Sequence, residues 1–493
     1  MSAYQISRRI VLFGMLPAAC GLAAPPDRKG SATGEAASGR AEPDAPVIVG
    51  EVFDVTRFGA SPEASAAVNT AAFAAASAAL NRAGGGTLVV PPGVYRVGVQ
   101  RLSGAAGRGG AHRPDDVIRI EGCRDPVAIL GRGATLRAVD GMRFGTFDPA
   151  TGRRHDPPMP FTDYNYSSTA PIMILVRKCS GAVRIEGFTL DGNAEGYVLG
   201  GDFGDTGRQL AGDGILCEAN TGGVVICDVR THDHGRDGIM FVHHGLTSGS
   251  PRYPVTLTDV VCDRNGRQGL SWVGGTELTA TRCRFSRTGR GRVMSAPAAG
   301  VDIEAEDSVC RNGRFVQCRF VDNGGCGLVA EAGDNADMVF ERCEFIGTTN
   351  WSAWPRMPDF VFRDCLFVGS IVNCFADPSG RRATKFIDCR FHGDTALSPT
   401  GKVYGEFLMD LGGGAAGVLM RRCDFRAVSP AIALGWTNPE LTFEDCRFHQ
   451  AGPSPSHPRG VFTGVNRIDS AGPVGLDGSR FLGRVILNGR TLG

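Results

Sequence analysis

The chain has 493 residues, of which 70 are glycine, about twice the usual share of roughly 7%. Its net charge of +1 offers no basic field to nucleic acid and no block of like charge to a membrane surface, so neither partner is expected. Lysine occurs only at Lys29, Lys178, Lys385 and Lys402, which leaves few candidates for lysine-based catalysis.

The chain begins with a twin-arginine pattern, Ser7-Arg8-Arg9-Ile10-Val11-Leu12, and an apolar stretch from Ile10 to Ala24 broken by Gly14 and Pro17. That stretch is too short to span a bilayer as a stable helix, and it predicts an export signal over 1–24, with no transmembrane span once it is removed. The mature protein is expected in the periplasm or outside the cell. Pro17-Ala18-Ala19-Cys20-Gly21 approaches a lipoprotein cleavage box, through which Cys20 could carry a lipid, although Leu16 stands one position too early. Residues 25–50, rich in Ala, Gly, Pro and Ser, read as a flexible tether, and 51–493 as one domain, with 51–104 its N-terminal cap and first strands.

Next come Phe53-Asp54-Val55-Thr56-Arg57-Phe58-Gly59-Ala60, an alanine-rich helix expected from about Thr70 to Ala83, and Gly84-Gly85-Gly86-Thr87-Leu88-Val89-Val90-Pro91-Pro92-Gly93-Val94-Tyr95. From residue 214 a strand recurs after a glycine, as in Gly214-Ile215-Leu216-Cys217-Glu218, Gly238-Ile239-Met240-Phe241-Val242, Gly269-Leu270-Ser271-Trp272-Val273, Gly300-Val301-Asp302-Ile303-Glu304 and Gly327-Leu328-Val329-Ala330-Glu331. His234-Gly235, Asn265-Gly266 and Asn323-Gly324 mark the turns before several copies, where side chains stacked coil on coil could bond one another.

From Cys283 a second phrase repeats, Cys-x-Phe, at Cys283, Cys318, Cys343, Cys365, Cys389, Cys423 and Cys446, with Ser479-Arg480-Phe481 as a copy lacking the sulfur. The steps of 35, 25, 22, 24, 34, 23 and 33 residues amount to one period of about 22 to 25 with loops inserted into some turns. Period-two alternation puts cysteine and phenylalanine on the same side, as two interior ladders. Sixteen cysteines in an exported chain would ordinarily suggest disulfides, and a metal array would need pairs such as Cys-x-x-Cys. The ladder needs neither, since small thiols are ordinary core residues. These patterns predict an all-β, single-stranded right-handed parallel β-helix with an N-terminal α-helical cap.

The front-end phrases, together with Ile185-Glu186-Gly187-Phe188-Thr189-Leu190-Asp191-Gly192-Asn193, resemble the pectate-lyase-like and polygalacturonase-like superfamily over roughly residues 51–490. The resemblance implies a helix plugging the open end of the solenoid and action on a polysaccharide, through any of several reactions. The chain departs from its relatives in two places. It lacks the Asp-Asp pair that commonly precedes the capping helix, and it lacks the polygalacturonase set of Asn-Thr-Asp, Asp-Asp, Gly-His-Gly and Arg-x-Lys on successive coils.

Alternation along the recurring strand places Glu218, Val242, Val273, Glu304 and Glu331 in one outward row, with Asp302 beside it among Leu216, Met240, Ser271 and Val329. Carboxylates on adjacent coils would repel, so one would hold its proton to higher pH, as acid and base roles require. Asp302, Glu304 and Glu331 are the candidate catalytic residues of a glycoside hydrolase. The bland alternative is a solvated acidic face, which the apolar neighbours Val242, Val273 and Val329 argue against. The same acids could bind Ca²⁺, although the hydrolase reading requires no cofactor and no other metal. His244 and Arg267 are candidate substrate-binding residues, and Trp351 and Trp354 could wall the groove or simply pack as a lid. Arg236 and Arg267 occupy the same corner and could pair with a substrate carboxylate or with Asp263; Asp213 and Asp237 read as turn residues. The expected partner is a polysaccharide or oligosaccharide. A polysaccharide lyase or uronate epimerase is the second enzyme class, and a non-catalytic glycan-binding or surface-structural β-helix is a third reading.

Overall fold

Short strands alternate with corners, and each strand pairs in parallel with its counterpart one coil away, the arrangement of a parallel β-helix. The computed structural model describes residues 48–103 and 110–492; the export signal, Cys20 and most of the tether lie outside the described residues. Eleven strands, from Ile118–Glu121 to Ala433–Thr437, form one sheet, termed the groove face. A second sheet of 28 strands carries two columns, since Val183–Asp191 pairs at one end with Val224–Cys227 and at the other with Arg230–His232. These columns make the other two sides. A separate five-stranded sheet lies in the insertions between residues 100 and 199.

The capping helix spans Ala66–Ala83, starting earlier than the alanine run suggested because the Ser65 hydroxyl accepts from the Val68 N–H. It buries Thr70, Phe73, Ser77 and Leu80, one helical face. Strand Ile118–Glu121 is the terminal strand of the groove face, and an open edge there would expose unpaired backbone groups. The helix closes it through side chains: Asn81 donates to the Arg119 carbonyl at 2.9 Å and accepts from the Glu121 N–H at 3.1 Å, while Ser77 accepts from the Arg119 N–H at 3.3 Å.

The Cys-x-Phe phrase sits at the corner between the two columns of the large sheet. The residue before each cysteine is left-handed although none is glycine, with φ of 53° at Arg282, 55° at Gln317, 51° at Arg342 and 58° at Asp388. The seven cysteines are buried free thiols, as the ladder reading requires. Each from Cys318 to Cys446 donates its S–H to a carbonyl one coil back, such as Cys343 to Phe315 and Cys365 to Phe340, both at 3.4 Å. Burial pushes the thiols of Cys283, Cys343, Cys389 and Cys423 well above the ordinary cysteine range, so they stay protonated; for Cys283 the hydrogen bond with Cys318 is the larger cause. Beside them the phenylalanines stack, Phe320 on Phe345 at 4.4 Å, Phe345 on Phe367 at 4.8 Å and Phe367 on Phe391 at 4.9 Å. The corner asparagines depart from the expectation that stacked side chains bond one another. Asn265 and Asn323 instead accept from the backbone N–H of His234 and Thr288 one coil back, because those amides have no strand partner at the bend.

Candidate active site

Strand register decides which side chains stand together on the groove face. Leu216, Met240, Ser271, Asp302, Val329 and Trp354 form one outward row. Glu218, Val242, Val273 and Glu304 follow in the next, and Glu331 continues it one coil on. Outward side chains on a solenoid are ordinarily wet, yet the first row is buried throughout, including Asp302 at 6% exposure. The apolar members Leu216, Met240, Val242 and Val273 pack together on one side of the acids, and Val329, Trp354 and Val372 on the other. The outward row is therefore packed among apolar neighbours and not open to water.

Charge concentrates between those apolar patches. Burial raises the Asp302 carboxyl well above its ordinary range, Glu304 adds to the shift, and the Arg267 guanidinium opposes it. Glu304 is raised by burial and then by Glu306, again against Arg267; Glu331 is raised by burial and then by Glu304, against Arg356. Glu304 and Glu331 are half-buried and reachable from outside, whereas Asp302 lies on the floor and accepts a hydrogen bond from the Gln268 amide.

Asp237 joins this group, although its place before a glycine reads as turn chemistry. It is fully buried, neither carboxylate oxygen is hydrogen-bonded, and burial pushes its carboxyl up to about 7 against the pull of Arg267 and Arg236. The Gln268 side-chain Oε1, the Ser271 hydroxyl and Arg267 Nε are also buried without partners. Both Asp237 and Asp213 are fully buried, and what distinguishes them is the partner, which an Asp-Gly-Ile phrase does not show. Asp213 is held by Arg236 through two bonds of 2.8 and 2.6 Å and is structural. Asp263, the alternative partner considered for the corner arginines, is taken by Arg287 and Arg230.

The remaining expected residues spread around this centre. Arg267 faces Asp237, Asp302 and Glu304. His244 is exposed in the turn beyond strand Asp237–Val242, and its neighbour His243 is half-buried and stacks on Tyr253 at 5.2 Å. Trp351 packs edge-on against Trp354 at 5.4 Å and Tyr404 at 6.0 Å, so this pair's surface is largely taken up by protein contacts. Burial raises the Tyr164 phenol while Arg236 opposes the shift, and its ring packs on Phe203 at 5.0 Å.

Among the described residues one trio, Asp191, His232 and Asp233, brings metal-ligand atoms within 4.8 Å of one another. Arg137 and Arg264 already pair with its carboxylates. The patch from Asp302 to Glu331 fits Ca²⁺ poorly, because Arg267 stands among its carboxyls and burial favours their protonated forms.

No protein-family model matches the chain, and no curated protein matches it by sequence. Solved structures resemble it. The A-module of mannuronan C-5 epimerase AlgE4 from Azotobacter vinelandii is 16% identical, covering 87% of this chain and 99% of that one at a TM-score of 0.41. An N-terminal fragment of bacteriophage phi29 gene product 12 is 12% identical, covering 89% and 72%, at 0.48. An exopolygalacturonase from Thermotoga maritima is 12% identical, covering 91% and 94%, at 0.31. By its own strand pairing the chain is a parallel β-helix. No helix of this β-helix is long and apolar enough to cross a membrane among the described residues.

Proposed function

We propose that this β-helix is an exported glycoside hydrolase cleaving a polysaccharide laid along the groove face, with Glu304 and Glu331 as the reacting carboxyls. The supporting observation is two reachable carboxyls on adjacent coils, both raised, above a buried acidic floor. Adjacent strands lie about 4.8 Å apart, which suits the separation of about 5 to 5.5 Å used when configuration is retained. Glu304, half-buried and with Glu306 as a like-charged neighbour, keeps its proton and delivers it to the glycosidic oxygen. Glu331, beside Arg356, is the anion that attacks the anomeric carbon; water then releases the sugar, with Glu304 taking the water's proton. Asp302 stays beneath, its carboxyl raised by burial and then by Glu304.

A uronate lyase or epimerase is the second reading. Arg267 favours it, because a half-buried guanidinium whose buried Nε has no partner could neutralise a substrate carboxylate and so acidify the adjacent C–H. Calcium enters neither scheme.

Incubation with neutral and acidic polysaccharides, followed by product masses, separates these readings. Hydrolysis adds water, elimination leaves an ultraviolet-absorbing product, and epimerisation leaves chain length and mass unchanged. Binding without any change in the glycan would make the protein a glycan-binding module. Glu304→Gln and Glu331→Gln are expected to lower cleavage by at least ~10²-fold while the variants remain folded. Full activity in both would overturn the assignment.

A further inference from the structure

The row that contains Asp302 does not stop at Trp354. Its register continues through Val372 and Asp410 to Trp436, five strand steps from Asp302 and therefore roughly 24 Å along the axis. Unlike Trp354, which is 8% exposed, Trp436 is 42% exposed.

Its surroundings keep the ring presented. Gly412, one coil back, lies against the indole edge, where a Cβ would come within 2.7 Å of Cδ1; any side chain there would push the ring aside. Gly413 and Gly414 follow with nothing within 4 Å of where a Cβ would stand, so no side chain from this segment covers the indole. The Arg459 guanidinium lies over one face of the ring, 5.2 Å from its centroid, which leaves the opposite face for a ligand, and its Nε is held by a bond to the Thr437 carbonyl at 3.2 Å. His457 meets the ring edge-on at 4.6 Å. An exposed, braced indole flanked by polar donors matches a saccharide ring, which offers C–H groups to the aromatic face and hydroxyls to its rim.

We infer that Trp436, with Arg459 and His457, is a distal sugar-binding subsite that holds the far end of a polysaccharide chain whose reacting bond lies at Glu304 and Glu331. This rests on the proposed reading of the groove. It makes the substrate a chain rather than a small oligosaccharide, since a disaccharide cannot reach from the acids to the tryptophan.

The test uses the full-length protein, with oligomannuronate, oligogalacturonate and xylo-oligosaccharide ladders as probes. Trp436→Ala is expected to raise KM about threefold to tenfold for oligomers spanning roughly 24 Å, with kcat unchanged and disaccharide turnover unaffected. Trp436→Phe should restore most of the loss, which a purely structural role would not show. Equal KM for wild type and Trp436→Ala on long oligomers overturns the subsite, as does an equal loss on short and long. If the wild type neither binds nor alters any ladder, the reading of the groove fails instead.

Discussion

The groove face and the corner opposite it carry charged residues under opposite rules. At the corner between the two columns of the large sheet, arginines and carboxylates neutralise one another coil by coil: Arg282 bonds Asp259 at 2.8 and 2.7 Å, and Arg422 bonds Asp388 at 2.6 and 2.7 Å. On the groove face the carboxyls of Asp237, Asp302, Glu304 and Glu331 are instead raised, with arginines opposing the shift, and the Asp237 carboxylate oxygens accept no hydrogen bond. The corner pairs are close and half exposed, whereas these groove carboxyls are raised chiefly by burial. Unpaired buried polar groups cost stability, so this contrast separates what the solenoid needs to stand from what it keeps for chemistry.

The largest stability effect expected lies behind the corner, in the aromatic stack. Phe367 is fully buried between Phe345 and Phe391, and Phe367→Ala removes both stacked contacts and leaves a cavity that its neighbours cannot fill by sliding. A loss of about 3–5 kcal/mol is expected from denaturant unfolding. A loss below about 1 kcal/mol would mean that the stack is not what holds adjacent coils together.

A smaller effect of opposite sign is expected in the groove. Asp237 is raised from an ordinary 3.8 to about 7, so between those values the folded protein holds a proton that the unfolded chain has released. Below pH 3.8 the group is neutral in both states and contributes nothing. Stability then falls as pH rises toward 7 and levels off above it. Asp237→Asn removes this term, so the variant should gain on wild type between pH 4 and 7, by on the order of a few kcal/mol at most, and the gap should stay constant above that. Melting temperatures across this range check it; parallel curves would place the Asp237 proton elsewhere.

These two residues also show how much could be read from the chain. Phe367 announces itself, because a Cys-x-Phe phrase at a near-constant period fixes side, ladder and coil at once. The outward rows were legible for the same reason, since alternation from a repeated glycine counts reliably over a short strand. Asp237 was not, because its properties come from partners the phrase does not show: Arg236 is taken by Asp213, and the buried Asp237 carboxylate oxygens are left without hydrogen bonds. The tryptophans show the same limit in reverse. Spacing draws attention to Trp351 and Trp354, which spend their surface on each other and on Tyr404, while Trp436 becomes interesting only once strand register carries the Asp302 row to it.

The smallest effect expected returns to the corner. Arg282 adopts a left-handed backbone and pairs with Asp259, itself left-handed one coil back, and both side chains are about half exposed. Water screens such a pair, so Arg282→Ala should cost only about 0.5 kcal/mol through the lost ion pair. Arg282→Gly should be less destabilising than Arg282→Ala, because glycine relieves the left-handed strain that alanine retains. Ordering the three proteins by denaturant midpoint at low and high salt separates the contributions. The ion-pair part should shrink with added salt, while the difference between glycine and alanine should not. If the two variants were equally stable, the corner would owe its shape to the cysteine ladder behind it rather than to the residue that makes the turn.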